Sequence, residues 1–195
     1  MDGQWHRSTG RRRDERRPQR SVARGRNRST APRWRGLRLI NDLDRLLAIE
    51  AIKQLKARYC WYCDDPHVQH LFPTLFTDDA VFIEEPLEEM HGIVEIKDFT
   101  RRYAEEVAWS RHYAVTPLIE VADDGENATG RWQALLMSAQ FVNDEEQMLW
   151  ASGTYVETYR KVDGDWKFSR IHARGRWMTS FDEGLRDTIN PELFG

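Results

Sequence analysis

The feature that most constrains this chain is a change of hydrophobic period partway along it. From Asn41 to about residue 109 apolar residues recur every three or four positions. From residue 111 to 178 they alternate in long runs broken by DDGEN (123–127), NDEE (143–146) and VDGD (162–165). The first pattern is the stripe of an amphipathic helix, and the second is that of half-buried strands joined by tight turns. Asp-Gly between strand-like runs is a strong hairpin signal, because such turns need positive φ.

Asn41 is a helix N-cap, with Asp42 and Asp44 in the first turn where acids favour the dipole. Ala48, Ile52, Leu55, Tyr59 and Tyr62 make the apolar face of a helix running to about Cys63. Asp65 and Pro66 restart the chain as cap and first-turn residue of a second helix. Val68, Leu71, Phe72, Leu75 and Phe76 form its stripe, and Pro73 kinks it. AVFIEE (80–85) reads as a strand, and residues 87–92 as a short second one. A third helix is predicted over 93–109, with Ile93, Ile96, Phe99, Tyr103 and Val107 on one side. Three or four long strands follow, at 111–122, 128–142, 147–162 and 166–178. Helices on one face of a mainly antiparallel sheet make an α+β domain. A strongly bent sheet wrapped around a helix encloses a cavity, the default ligand site.

Charge divides the chain. Residues 1–38 hold thirteen of the 29 basic residues, all Arg, and three of the 32 acidic ones. That tail has no apolar period and is expected to be disordered to about residue 40. The domain is expected over 41–182, with a C-terminal extension at 183–195. The remainder carries a large acidic excess, which argues against a nucleic-acid partner. No run of about 18 apolar residues exists, which argues against a membrane span. Two Cys exclude a disulfide scaffold. A cytoplasmic location and no cofactor are expected.

Cys60, Cys63, His67 and His70 suggest a metal site, but their spacing is compressed compared with zinc modules, so none is expected. The CxxC lies at the C-terminal end of its helix, where the dipole does not activate a thiolate. There is no phosphate loop, nucleophile elbow or HExxH.

The runs IEAIKQLKARYCWYCDD (49–65), LFTDDAVF (75–82), SRHYAVTPLIEV (110–121), NATGRWQ (127–133) and SGTYVETYRKVDGDWKF (152–168) together resemble a SnoaL-like domain of the nuclear transport factor 2 superfamily. They are similar to the branch holding scytalone dehydratase, hexachlorocyclohexane dehydrochlorinase and bile acid 7α-dehydratase. The resemblance implies a cone of curved antiparallel sheet closed by N-terminal helices. It also implies a catalytic dyad of Asp64 and His112, with Tyr59 in the pocket and Arg174 or Arg176 on the last strand. In such a site histidine serves as base and acid, a carboxylate orients it, and a phenol polarises the substrate. The expected walls include Tyr62, Trp132, Leu135, Met137, Trp150 and Phe168.

The function so implied is a cofactor-independent lyase of dehydratase, isomerase or cyclase type, acting on a small apolar cyclic ligand. Alternatives are a non-catalytic binding or assembly module, or the small subunit of a ring-hydroxylating dioxygenase. A homodimer or homotrimer is expected. QALLM (133–137) places Leu135 and Leu136 where the bile acid enzyme has an acid, which argues against steroid dehydration.

Overall fold

A computed structural model describes residues 40–142 and 145–181. The Arg-rich tail up to residue 39 and the C-terminal extension lie outside the described residues, as do Asn143 and Asp144 of one turn.

Helix α1 spans Asp42–Asp64, and the Asn41 side chain accepts a 2.8 Å hydrogen bond from the Asp44 N–H. Ala48, Ile52, Leu55 and Tyr59 are buried, as the stripe requires, and Tyr62 is half-buried. The expected second helix is only a 3₁₀ segment, Gln69–Leu75. Pro73 lies inside it, and a residue lacking an N–H and crowding the preceding turn does not sustain an α-helix over so few residues. Its apolar residues are buried nonetheless, with Phe72, Leu75 and Phe76 nearly inaccessible.

Strand β1 (Phe76–Glu85) starts earlier than its apolar run suggested, and β2 (Glu88–His91) pairs back on it. Helix α2 (Gly92–Glu106) ends before residue 109, because Val107 and Trp109 join β3 (Val107–Val121) and pair with Gln140 and Ala139 of β4 (Asn127–Val142). Strands β5 (Glu145–Val162) and β6 (Asp165–Ser180) complete the meander. Asp163 and Gly164 both have positive φ, the two-residue turn that VDGD specifies.

The sheet order is β2-β1-β6-β5-β4-β3, antiparallel except for β1 beside β6. The class is therefore the expected α+β, a mainly antiparallel sheet with helices on its inner face. Its bending is visible where ladders slip. The β5–β6 register shifts between Ser152 and Gly153, and β3–β4 shifts between Val115 and Leu118, where Thr116 has a φ of 50°. Gly153 is required at its slip, because a Cβ there would collide with the Arg174 carbonyl oxygen.

The core lies between α1 and the inward side chains of β4, β5 and β6: Trp132, Tyr155, Tyr159, Phe168 and Ile171. A buried polar chain runs through it. Trp132 Nε1 donates to the Tyr159 hydroxyl over 2.9 Å, and that hydroxyl donates to Glu157. The other Glu157 oxygen accepts from Lys56 Nζ at 2.6 Å. Both ionic side chains are almost fully buried. Burial of two opposite charges at this contact requires that each compensate the other.

Candidate active site

Asp64 is the last residue of α1, and His112 lies on β3, which packs across that helix end. His112 Nδ1 is 2.6 Å from Asp64 Oδ1, and the His112 backbone N–H donates to Asp64 Oδ2 over 2.8 Å. Ser110 Oγ donates to Asp64 Oδ1 over 2.9 Å. Only 9% of either the His112 or the Asp64 side chain is exposed. Burial alone would raise the Asp64 pKa. The hydrogen bonds from His112 and Ser110, with the attraction of the imidazolium, outweigh it and hold the carboxyl below its ordinary value. An ionised Asp64 only accepts, so Nδ1 carries a proton and Nε2 of neutral His112 holds the lone pair.

The His112 ring lines a narrow cavity of about 60 Å³. Asp64 lines a second concavity with Trp61 and Arg111, and His112 borders both spaces. Tyr59, Tyr103 and Tyr155 supply three phenols to the cavity, with Cys63, Phe72, Phe82, Phe99 and Leu136 as further wall. Tyr59 meets the His112 ring edge-on at 6.3 Å between centroids, and Tyr103 lies at the same separation on another side. Burial drives all three phenols above their ordinary pKa, so they remain neutral donors. The Tyr103 hydroxyl, near Ser110, is buried with no geometric hydrogen-bond partner among the described residues. It is a donor that a ligand oxygen would satisfy.

The cavity has room for only a few water-sized groups, so a ring-sized ligand must displace its walls. Gln69 and Thr100 belong both to it and to an open cleft of about 600 Å³ between the 3₁₀ segment and α2. That shared wall is the short path to solvent.

Not every residue expected here lies here. Strand β4 turns Leu136, the partner of His112, into the cavity, so Leu135 and Met137 lie on the opposite face. Trp150, opposite Met137, shares that outer face and stacks on Phe181. Trp132 and Phe168 are core beneath the cavity rather than its wall, and Tyr62 packs against the core. Arg174 points outward, with Nε 3.3 Å from His172 Nδ1 and 3.8 Å from Glu85; Arg176 is also exposed. Cys60 and Cys63 are half-buried thiols that burial pushes up in pKa, while His67 and His70 are exposed. Among the described residues no group of three or more His, Cys, Asp or Glu is placed to hold a metal ion. None of these residues forms a helix long and apolar enough to cross a membrane.

Reasoning from sequence missed Ser110, Tyr103, Tyr155 and Glu84. Ser110 is two residues before His112 and so shares its face. Glu84 continues the inward parity of Ala80 and Phe82, and that alternation could have singled it out.

A bent sheet closed by helices, with a His–Asp pair buried against an aromatic cavity, defines a class of small pocket domains. The chain belongs to the SnoaL-like domain family, whose sequence pattern matches residues 44–172. Its fold is that of the nuclear transport factor 2 superfamily. The hexachlorocyclohexane dehydrochlorinase LinA-type3 from Novosphingobium barchaimii LL02 is 22% identical. It superposes with a TM-score of 0.65 over 74% of this chain and 97% of its own. A scytalone dehydratase-like protein from Novosphingobium aromaticivorans DSM 12444 is also 22% identical, with a TM-score of 0.64 over 76% and 95%. A function-unknown protein from Mycobacterium tuberculosis is 25% identical, with a TM-score of 0.58 over 69% and 76%. No curated protein matches the sequence.

Proposed function

We propose that the chain is a cofactor-independent lyase that removes H–X across adjacent carbons of a small, largely apolar cyclic molecule. The observation that carries this reading is the Asp64–His112–Ser110 contact set, which leaves one imidazole nitrogen for the cavity. His112 Nε2 takes the proton from carbon. Asp64 holds the tautomer and stabilises the imidazolium that forms. Tyr59 or Tyr103 donates to the oxygen that gains charge as the C–H bond breaks. The aromatic walls exclude water and favour a ring. The dehydratase and dehydrochlorinase names among the similar structures describe the same kind of elimination, and support it as fold-level analogy.

A second reading is a binding module without turnover, which the same aromatic walls would serve. The two are separated by replacing His112 with Ala and Asp64 with Asn, using substrate found by mass spectrometry of molecules that co-purify with the chain. Each substitution should lower turnover by at least ~100-fold, the scale of a positioned acid–base group. The double variant should be little worse than the worse single one, because the pair acts as a unit. Unchanged turnover in both single variants would overturn the dyad mechanism, and a co-purifying molecule that the wild-type chain binds without converting would leave the binding module.

A further inference from the structure

Glu84 lies on β1, four strands away from the β3 of His112 in the sheet order, yet the bend of the sheet brings both to one cavity. Its surroundings are mostly apolar or phenolic, with Gln69, Thr100 and the His112 imidazole as the other polar groups of the wall. Tyr59 and Cys63 face the cavity from α1, Phe99 and Tyr103 from α2, His112 from β3, Tyr155 from β5 and Ala173 from β6. Its cross-strand neighbour is Glu88 of β2, itself held by Arg102 at 2.7 Å. The buried cation Lys56 is engaged by Glu157. The Glu84 carboxyl has no hydrogen-bond or ion-pair partner among the described residues. Its strand neighbour Glu85 is different, being exposed and bonded to His172. Structural carboxylates are paired; an unpaired one in the wall of an active-site cavity is placed for a ligand.

We propose that Glu84 is the general acid of this site, and that it selects hydroxylated substrates over halogenated ones. The assignment rests on the elimination reading above. His112 Nε2 takes a proton from the carbon beside a carbonyl. The C–H electron pair forms the new C=C bond as the neighbouring C–O bond breaks. The leaving oxygen takes the Glu84 carboxyl proton and departs as water. The imidazolium then returns a proton to the Glu84 carboxylate across the cavity, through water, and the site is restored. Hydroxide leaves poorly without that proton, whereas chloride or acetate leaves as an anion and does not need it. Burial beside Glu88 raises the Glu84 pKa to about 7, which keeps the acid form present at neutral pH.

The test uses two ketones that give the same product, β-hydroxycyclohexanone and β-acetoxycyclohexanone, with the full chain and its Glu84→Gln and His112→Ala variants. Formation of the conjugated enone is followed by absorbance. Glu84→Gln should slow loss of water by at least ~100-fold and change loss of acetate little, while His112→Ala should abolish both. Retained acetate elimination also shows that the glutamine variant is folded. If Glu84→Gln keeps wild-type dehydration while His112→Ala abolishes it, the dyad stands and this assignment falls. If neither variant changes either rate, or the wild-type chain acts on neither ketone, the elimination reading falls and takes the assignment with it.

Discussion

Asp64 and Glu84 are two carboxyls near one imidazole, and their surroundings push them in opposite directions. Hydrogen bonds to Asp64 overcome its burial and lower its pKa. Its contribution to stability is therefore present above the ordinary carboxylate pKa and is lost as pH falls through the depressed value. Glu84 has burial and a like charge against it, and no compensating donor. Its pKa is raised in the folded state, so the unfolded chain ionises first. Stability is retained below about 4.5 and falls as pH rises from there to about 7. The loss is roughly 3 kcal/mol at most, from the size of the shift. Urea denaturation at pH 5 and pH 8 should show a drop in wild type that Glu84→Gln removes, with the glutamine chain the more stable at pH 8. Equal pH slopes in the two chains would mean that Glu84 is ionised in an ordinary setting. His112 and Asp64 were legible in the sequence because a histidine on a strand and an aspartate at a helix end matched an ordered set of motifs. Glu84 was not, because an acid among strand residues reads as solvent-facing until the parity of its neighbours is known to point inward.

One buried tether between elements is the pair Lys56–Glu157, joining α1 to β5. The Lys56 ammonium also sits 3.3 Å from the Tyr155 ring centroid and 3.9 Å from that of Tyr59. Replacing Lys56 by Met should cost about 3–5 kcal/mol by leaving Glu157 charged and unpaired in the core. Replacing both, Lys56→Met with Glu157→Leu, should recover much of that loss, since two matched apolar groups leave nothing unsatisfied. Denaturant midpoints of the two variants test this, and a double variant no better than the single one would contradict it. The pair was not legible in the sequence, because its partners are 101 residues apart. Element boundaries were legible where caps and turns wrote them, as at Asn41 and at VDGD. They were not where two elements abut without punctuation, as at Val107, where α2 passes directly into β3.

For the whole molecule, the outer face of β3, β4 and β5 carries Tyr113, Val115, Leu135, Met137 and Trp150, and Tyr113 and Val115 are each nearly half exposed. Such a face favours association with a second copy, so light scattering coupled to size exclusion should give a dimer or trimer mass; a monomer at micromolar concentration would contradict this. Removing residues 1–38 should leave the melting temperature within a few degrees, because that segment lacks the apolar residues to pack. Period and turn chemistry fix the class of fold, since both are local properties of the chain. The family resemblance pointed to Asp64 and His112 as a pair, and their side chains are in contact. Which face of each strand meets the cavity came from the tertiary arrangement alone. In a sheet apolar on both sides, alternation leaves the choice between two parities open, and the bend that makes one face concave settles it. That bend set Leu136 rather than Leu135 beside His112, turned Arg174 outward, and brought Glu84 across from the far end of the sheet.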